Sequence, residues 1–183
     1  MRRLRWIGIR MELFITVREG ETPVAIAQPP ETFHLAFLSA ADIEDLIRLE
    51  PGADREELNA WFREGKLCYG IWDDSRLIAK MWCDLDEFSY QPNYRKLTAD
   101  EVYLYAAFTD PDYRGQSLAP LMRAAGYSSL REMGRSKFCS YTDFFNTAAR
   151  HFKAKLGARK EALRIHLELF GKWSKTLTLR RYS

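Results

Sequence analysis

The stretch from Glu101 to Met133 constrains the fold most: a strand-patterned run, a basic turn containing glycine, and a helix-patterned run follow one another without a break. Val102, Leu104, Ala106 and Phe108 alternate with Tyr103, Tyr105 and Ala107, the period-two pattern of a strand, and Asp110-Pro111 ends it. Beyond the turn, Leu118, Leu121, Met122 and Ala125 recur at helical spacing up to Gly134. Gly115 admits a backbone conformation that a Cβ penalises, and Pro120 suits a first helical turn, where its missing N–H had no partner to lose. Such a turn offers free backbone N–H groups and a helix N-terminus to a phosphate. A strand-turn-helix alone is common, so the reading needs a second signal.

That signal is the segment Asn146-Thr147-Ala148-Ala149-Arg150-His151-Phe152-Lys153-Ala154-Lys155-Leu156-Gly157-Ala158. Arg114-Gly115-Gln116-Ser117-Leu118-Ala119 resembles the Arg/Gln-x-x-Gly-x-Gly/Ala pyrophosphate loop of the GNAT-type N-acyltransferases. The Asn146 segment resembles that family's Asn-x-x-Ala-x-x-Phe/Leu-Tyr-x-Lys-x-Gly-Phe stretch, and the two stand in family order, joined by a helix and a strand over 137–142. The resemblance is close over 98–160 and extends more loosely over 30–180, whereas residues 1–30 have no counterpart in it. It divides the chain into a 1–30 extension or accessory hairpin and a 31–183 GNAT-like domain.

The resemblance implies an α+β fold with a mixed, mostly antiparallel central sheet and helices on both faces. It implies transfer of a short acyl group from acetyl-CoA or another acyl-CoA to the primary amine of a small molecule. Arg114, Gly115, Gln116, Ser117, Leu118 and Ala119 would hold the pyrophosphate, and Asn146 would contact the pantetheine arm. Phe108 and Thr109 would offer backbone N–H groups to the thioester near the end of the central strand. Glu101, at the start of that strand among Tyr90, Tyr103 and Tyr105, is the leading candidate for a base with a raised pKa; it also reads as the end of a polar loop. Asp84 and Asp86 stand next in line. Two departures matter: Ser117 stands where the family usually has glycine, and Lys153 stands where many relatives carry a tyrosine that protonates the departing thiolate. Tyr103, Tyr105 and Tyr141 are alternative acids. Readings without small-molecule turnover stay open: a non-catalytic CoA-binding domain, or a protein N-acetyltransferase.

Composition narrows the field. Twenty-eight Lys and Arg against 25 Asp and Glu leave +3 over 183 residues, too small and too evenly mixed to imply nucleic acid. Met1 to Arg10 lacks a continuous apolar run, so neither a signal peptide nor a membrane anchor is expected and the cytoplasm is the default. Cys68, Cys83 and Cys139 are odd in number and embedded in apolar runs, which reads as reduced core thiols, with Cys139 a remote nucleophile candidate. His34, His151 and His166 share no ligand spacing, so no metal is expected. A homodimer is compatible with all of this.

Elsewhere, Leu13 to Val17 alternates as a strand, Glu19 to Pro23 turns, and Gln28-Pro29-Pro30 connects to a strand over 32–38. Ser39 caps one short helix, and Asp54, with Glu57 three residues on, caps a second. Leu67 to Trp72 and Leu77 to Asp84 flank a hairpin turn, and an aromatic connection leads to Glu101. Asp84, Asp86 and Glu87 form an acidic rim, with Phe88, Tyr90 and Tyr94 as a wall for an acceptor or a cover for the core.

Overall fold

The computed structural model describes residues 8–21, 29–90 and 93–182. The turn at Thr22-Pro23 and the connector at Gln28 lie outside them.

Ten strands and four α-helices are present among the described residues: β1 Ile9–Glu19, β2 Phe33–Leu38, α1 Ile43–Leu49, α2 Arg55–Arg63, β3 Leu67–Asp73, β4 Arg76–Asp84, β5 Glu87–Tyr90, β6 Asn93–Lys96, β7 Glu101–Thr109, α3 Leu118–Glu132, β8 Lys137–Asp143, α4 Thr147–Lys155, β9 Arg159–Leu169 and β10 Trp173–Arg181. Eight strands form one sheet in the order β10-β9-β1-β8-β7-β4-β3-β2, and β5 pairs with β6 as a separate hairpin. Only β7 and β8 run parallel; every other recorded pair is antiparallel. The fold class expected from the resemblance is therefore the one observed.

The caps read from the sequence are in place. Ser39 opens a 3-10 turn over Ala40–Asp42 with both halves of a capping box, and Asp54 accepts the backbone N–H of Glu56 and Glu57 at the start of α2. Alternation along the strands gives the sheet two apolar faces. Ile43, Leu46 and Leu58 of α1 and α2 cover Leu38, Cys68, Leu77 and Trp82, while Leu118, Met122, Tyr127 and Leu130 of α3 cover Ile71, Met81, Val102, Leu104 and Phe138. Trp61 and Phe62 of α2 sit 4.8 Å and 4.9 Å from the Trp82 ring. Gly126 lets α3 approach β4: a Cβ there would run into the Met81 side chain.

The aromatic connection contains the β5–β6 hairpin, which folds over one face of the sheet; Tyr90 lies 4.4 Å from Phe14 and 3.8 Å from Tyr141 between ring centroids. The larger correction concerns the N-terminus. Residues 9–19 are neither a tail nor an accessory hairpin: β1 is an interior strand, paired to β8 along one edge and β9 along the other. The division at residue 30 therefore separates β1 from the sheet to which it belongs.

A buried ionic cluster anchors β1. Glu19, 1 % exposed, accepts hydrogen bonds from Tyr127 and Ser140 and lies 3.2 Å from Lys153 and 3.8 Å from Arg123. Burial pushes its carboxyl up, but Arg123, Lys153, Ser140 and Tyr127 together outweigh burial and hold it down at about 2. A depressed carboxylate contributes stability above its unfolded-state pKa and loses it as pH falls toward the folded value. Glu19→Gln is expected to lose about 3 kcal/mol near neutrality, because two buried cations lose their counter-charge. Its loss of stability between pH 4.5 and about 2 should be shallower than in the wild type, as read by urea denaturation across that window.

Candidate active site

The site begins where β7 and β8 separate. Their ladder spans three rungs, Glu101↔Lys137, Val102↔Phe138 and Tyr103↔Cys139. Past Tyr103, β7 continues to pair with β4 as far as Thr109, and β8 with β1 as far as Asp143. Each strand follows its antiparallel neighbour, leaving a wedge between them.

A bulge shapes the wedge. Tyr105 pairs with Trp82 and Phe108 with Lys80, so Ala106 and Ala107 together face one residue of β4. Ala106 has φ +44°, a strained conformation for a residue with a Cβ. Its carbonyl accepts a hydrogen bond from Lys80 Nζ at 2.8 Å, and that ammonium also lies 2.9 Å from Glu50 at the end of α1. Lys80 is only 4 % exposed. In a trans peptide the following N–H points opposite to the carbonyl, so with Ala106 O turned to Lys80 the Ala107 N–H points away from it. Phe108 and Thr109, expected to supply the freed donor, are in register with Lys80 and Ala79; the bulge itself is at Ala106 and Ala107. Two consecutive alanines carry no sequence signal for it.

The basic turn lies at the mouth of the wedge. Asp110 caps a 3-10 turn over Pro111–Tyr113 and pairs with Arg76 at 2.7 Å, while Tyr113 donates to Asp73 at 2.9 Å, so the β3–β4 hairpin tip pins the turn. Among the described residues, the backbone N–H groups of Gly115, Gln116, Ser117, Leu118 and Ala119 have no recorded acceptor within the protein. Arg114 folds back, its Nε 3.3 Å from Thr109 O and its guanidinium 5.8 Å from the Phe108 ring centroid. Gly115 has φ +84° and Ser117 φ +60°. Ser117 thus occupies a left-handed position that suits glycine, and its hydroxyl makes no capping bond to α3.

Asn146 opens α4, its Oδ1 accepting from Ala149 N at 2.9 Å, which leaves the side-chain amide nitrogen outward. Lys153 is turned into the core. Its Nζ lies 2.6 Å from Ser140 Oγ, 2.7 Å from Thr142 Oγ1, 3.1 Å from Tyr141 O and 3.2 Å from Glu19. Burial lowers its pKa to about 8 against the opposing pull of Glu19. With every donor engaged, Lys153 is a strut joining α4, β8 and β1 rather than a substitute acid.

Glu101 is corrected as well. Arg95 grips it through two nitrogens at 2.7 Å and 2.9 Å, and Thr98 N donates at 3.0 Å. The Arg95 fork is the main cause holding it at about 2, so the raised pKa expected of a base is absent. It also belongs to the closed end of the β7–β8 ladder. Asp84 is buried and spends its Oδ1 on the Asp86 and Glu87 N–H groups, leaving Asp86 and Glu87 as the outer acids of the rim. Burial pushes the Cys139 thiol up to about 12, which removes it as a nucleophile.

The three tyrosines separate by position. The Tyr105 hydroxyl is buried without a partner, on the face covered by α2, where Trp61 lies 5.5 Å from its ring. Tyr103 is 2 % exposed and stacks on Tyr105. Tyr141 is half-buried on β8, two residues past the last rung shared with β7, and sits on the wedge. Its pKa is raised by burial.

The model of the acetyltransferase (GNAT) family matches residues 35–158, about two thirds of the sequence, and the chain belongs to that family. No curated protein is matched by the sequence. Among solved structures, a GNAT-family acetyltransferase from Colwellia psychrerythraea aligns at TM-score 0.65 and 15% identity, over 88% of this chain and 56% of its own. The ribosomal-protein alanine N-acetyltransferase from Escherichia coli aligns at TM-score 0.56 and 17% identity, over 68% of this chain and 76% of its own. An aminoglycoside acetyltransferase from an uncultured soil metagenomic sample gives 0.54 and 15%, over 68% and 87%. At these identities the likeness is of fold. The chain spans 52–66% of the length of four structures that match it over 88% of its own. The strands β1, β9 and β10 lie outside the family match. No described helix is long and apolar enough to cross a membrane, and among the described residues no group of His, Cys, Asp and Glu converges to hold a metal ion.

Ser117→Gly removes the left-handed strain at the cost of a freer unfolded chain, with an expected net gain of ~0.5–1 kcal/mol. Chemical denaturation reads this directly. Coenzyme A should bind the variant at least as tightly in calorimetry; a clear loss would make the hydroxyl a positive contact.

Proposed function

We propose that the chain is an acyl-CoA-dependent N-acyltransferase acting on the primary amine of a small molecule. The observation that carries this reading is the wedge between β7 and β8, with a row of unbonded N–H groups at its mouth and a bulge in its wall. In this reading the pyrophosphate lies on Gly115 to Ala119, beside Arg114, and the pantetheine arm enters the wedge past Phe108, Thr109 and the Asn146 amide. The acyl carbonyl reaches the Ala107 N–H, which stabilises the oxyanion that forms there. The neutral amine attacks the carbonyl carbon, a C–N bond forms, and the C–S bond breaks. The leaving thiolate takes a proton from Tyr141, the added nitrogen loses its own to water, and that water returns a proton to the Tyr141 phenolate, which restores the hydroxyl. Lys80 is the positioning residue, because it fixes the peptide that carries the Ala107 N–H. The hairpin that folds over the sheet leaves a half-open space of about 330 Å³ beneath it, which supports a small acceptor.

One observation favours a second reading: the lysine in the family's tyrosine position is fully engaged, as a domain that binds CoA without turnover would tolerate. Turnover separates the two. Wild type is expected to bind coenzyme A in calorimetry and to release it from acetyl-CoA in the presence of amines. Gly115→Val, which forces a β-branched residue to φ +84°, should weaken that binding at least tenfold. Lys80→Met should lower kcat about 10- to 100-fold while leaving the affinity for coenzyme A, which has no acyl carbonyl, within twofold. No binding at millimolar ligand would remove both readings.

A further inference from the structure

Between the β5–β6 hairpin and the sheet lies a cavity of about 330 Å³. Phe88, Tyr94 and Arg95 of the hairpin wall it, and Thr16, Cys139, Glu161 and Arg164 of the sheet floor it. Two of its charges are already matched: Arg95 is held in the Glu101 fork, and Glu161 accepts from Arg18 at 2.8 Å and 3.1 Å. Arg164 differs. Among the described residues it has no carboxylate partner, and its Nε is buried without an acceptor. Thr16 is 6 % exposed, and its hydroxyl is likewise buried without a partner.

These two orphans are neighbours. Thr16 is opposite Ala162 in the β1–β9 ladder, and Arg164 is two residues further along, so both side chains share one face. Buried polar groups are costly when unpaired, and two unpaired groups on residues that line one cavity mark a place where a ligand supplies the missing partner. One uncompensated guanidinium matches a monoanion, and its planar fork suits a carboxylate; the aromatic walls suit an apolar body attached to it. Thr16 is also directly opposite Tyr141 in the β1–β8 ladder, which brings this corner of the cavity beside the wedge.

We propose that the cavity is the carboxylate half of the acceptor site: the amine that receives the acyl group also carries a carboxylate, held by the Arg164 guanidinium and the Thr16 hydroxyl. The assignment of this ligand as acceptor rests on the acyltransferase reading above. The holding residues lie on β1 and β9, outside the stretch shared with the family.

Two measurements test it. In the first, phenylacetate and benzyl alcohol are titrated into the protein without acyl-CoA. Phenylacetate should bind and benzyl alcohol should bind at least tenfold more weakly, and both Arg164→Met and Thr16→Val should weaken phenylacetate about tenfold. Thr16→Val removes a hydroxyl that has no partner, so its thermal midpoint should be unchanged or higher, and it carries the test if Arg164→Met fails to fold. In the second, phenylalanine and phenethylamine are compared as acceptors of acetyl-CoA: kcat/KM should favour phenylalanine in the wild type, and the preference should collapse in Thr16→Val. Phenylacetate binding that neither substitution changes, or no binding by the wild type, overturns the proposal. Retained, substitution-sensitive phenylacetate binding with no acylation of any amine keeps the carboxylate site and overturns the acyltransferase reading.

Discussion

The site depends on a conflict of pairing. Among the described residues β7 and β8 are the one parallel pair in the sheet, and each is also claimed by an antiparallel neighbour, β4 or β1. After three rungs the antiparallel claims win and the strands diverge, which exposes main-chain groups that an uninterrupted sheet would have satisfied. Lys80 then fixes the most strained point of the exposed strand by holding the Ala106 carbonyl. The buried lysine is tolerated because Glu50 and that carbonyl share its charge.

The other half of the molecule is held by the Glu19 cluster. One carboxylate joins β1 to Ser140 on β8, to Arg123 and Tyr127 on α3, and to Lys153 on α4. The N-termini of α3 and α4 carry the proposed contacts to the coenzyme, so this cluster sets the two helices relative to the sheet. It also gives a physical reason for lysine in place of the family's tyrosine: a tyrosine at 153 would leave Glu19 with a single cation. In the proposed reaction the proton that such a tyrosine would have given the thiolate comes from Tyr141.

Local features were legible in the sequence because their causes are local. The strand-turn-helix and the Asp54 and Ser39 caps each follow from neighbouring residue types. The failures involve partners far away in the chain. Nothing near Glu19 tells that it is buried, since its partners are Arg123, Tyr127, Ser140 and Lys153; in sequence it reads as an acid beside a turn. Leu13 to Val17 shows a strand but not that both its edges are occupied. Glu101 looked like a carboxylate among tyrosines, and only the β5–β6 hairpin brings Arg95 against it. Ala106 and Ala107 give no hint of a bulge, because the register of β4 imposes it.

The most direct measurement of the wedge is an amide-resolved NMR titration with coenzyme A and with acetyl-CoA. The Gly115 to Ala119 amides should shift with both ligands, and the Ala107 amide should shift with acetyl-CoA but little with coenzyme A, because only the thioester supplies a carbonyl to that N–H. Silent loop amides, or an Ala107 amide that responds equally to the two ligands, would contradict the wedge as the place where the acyl group is held.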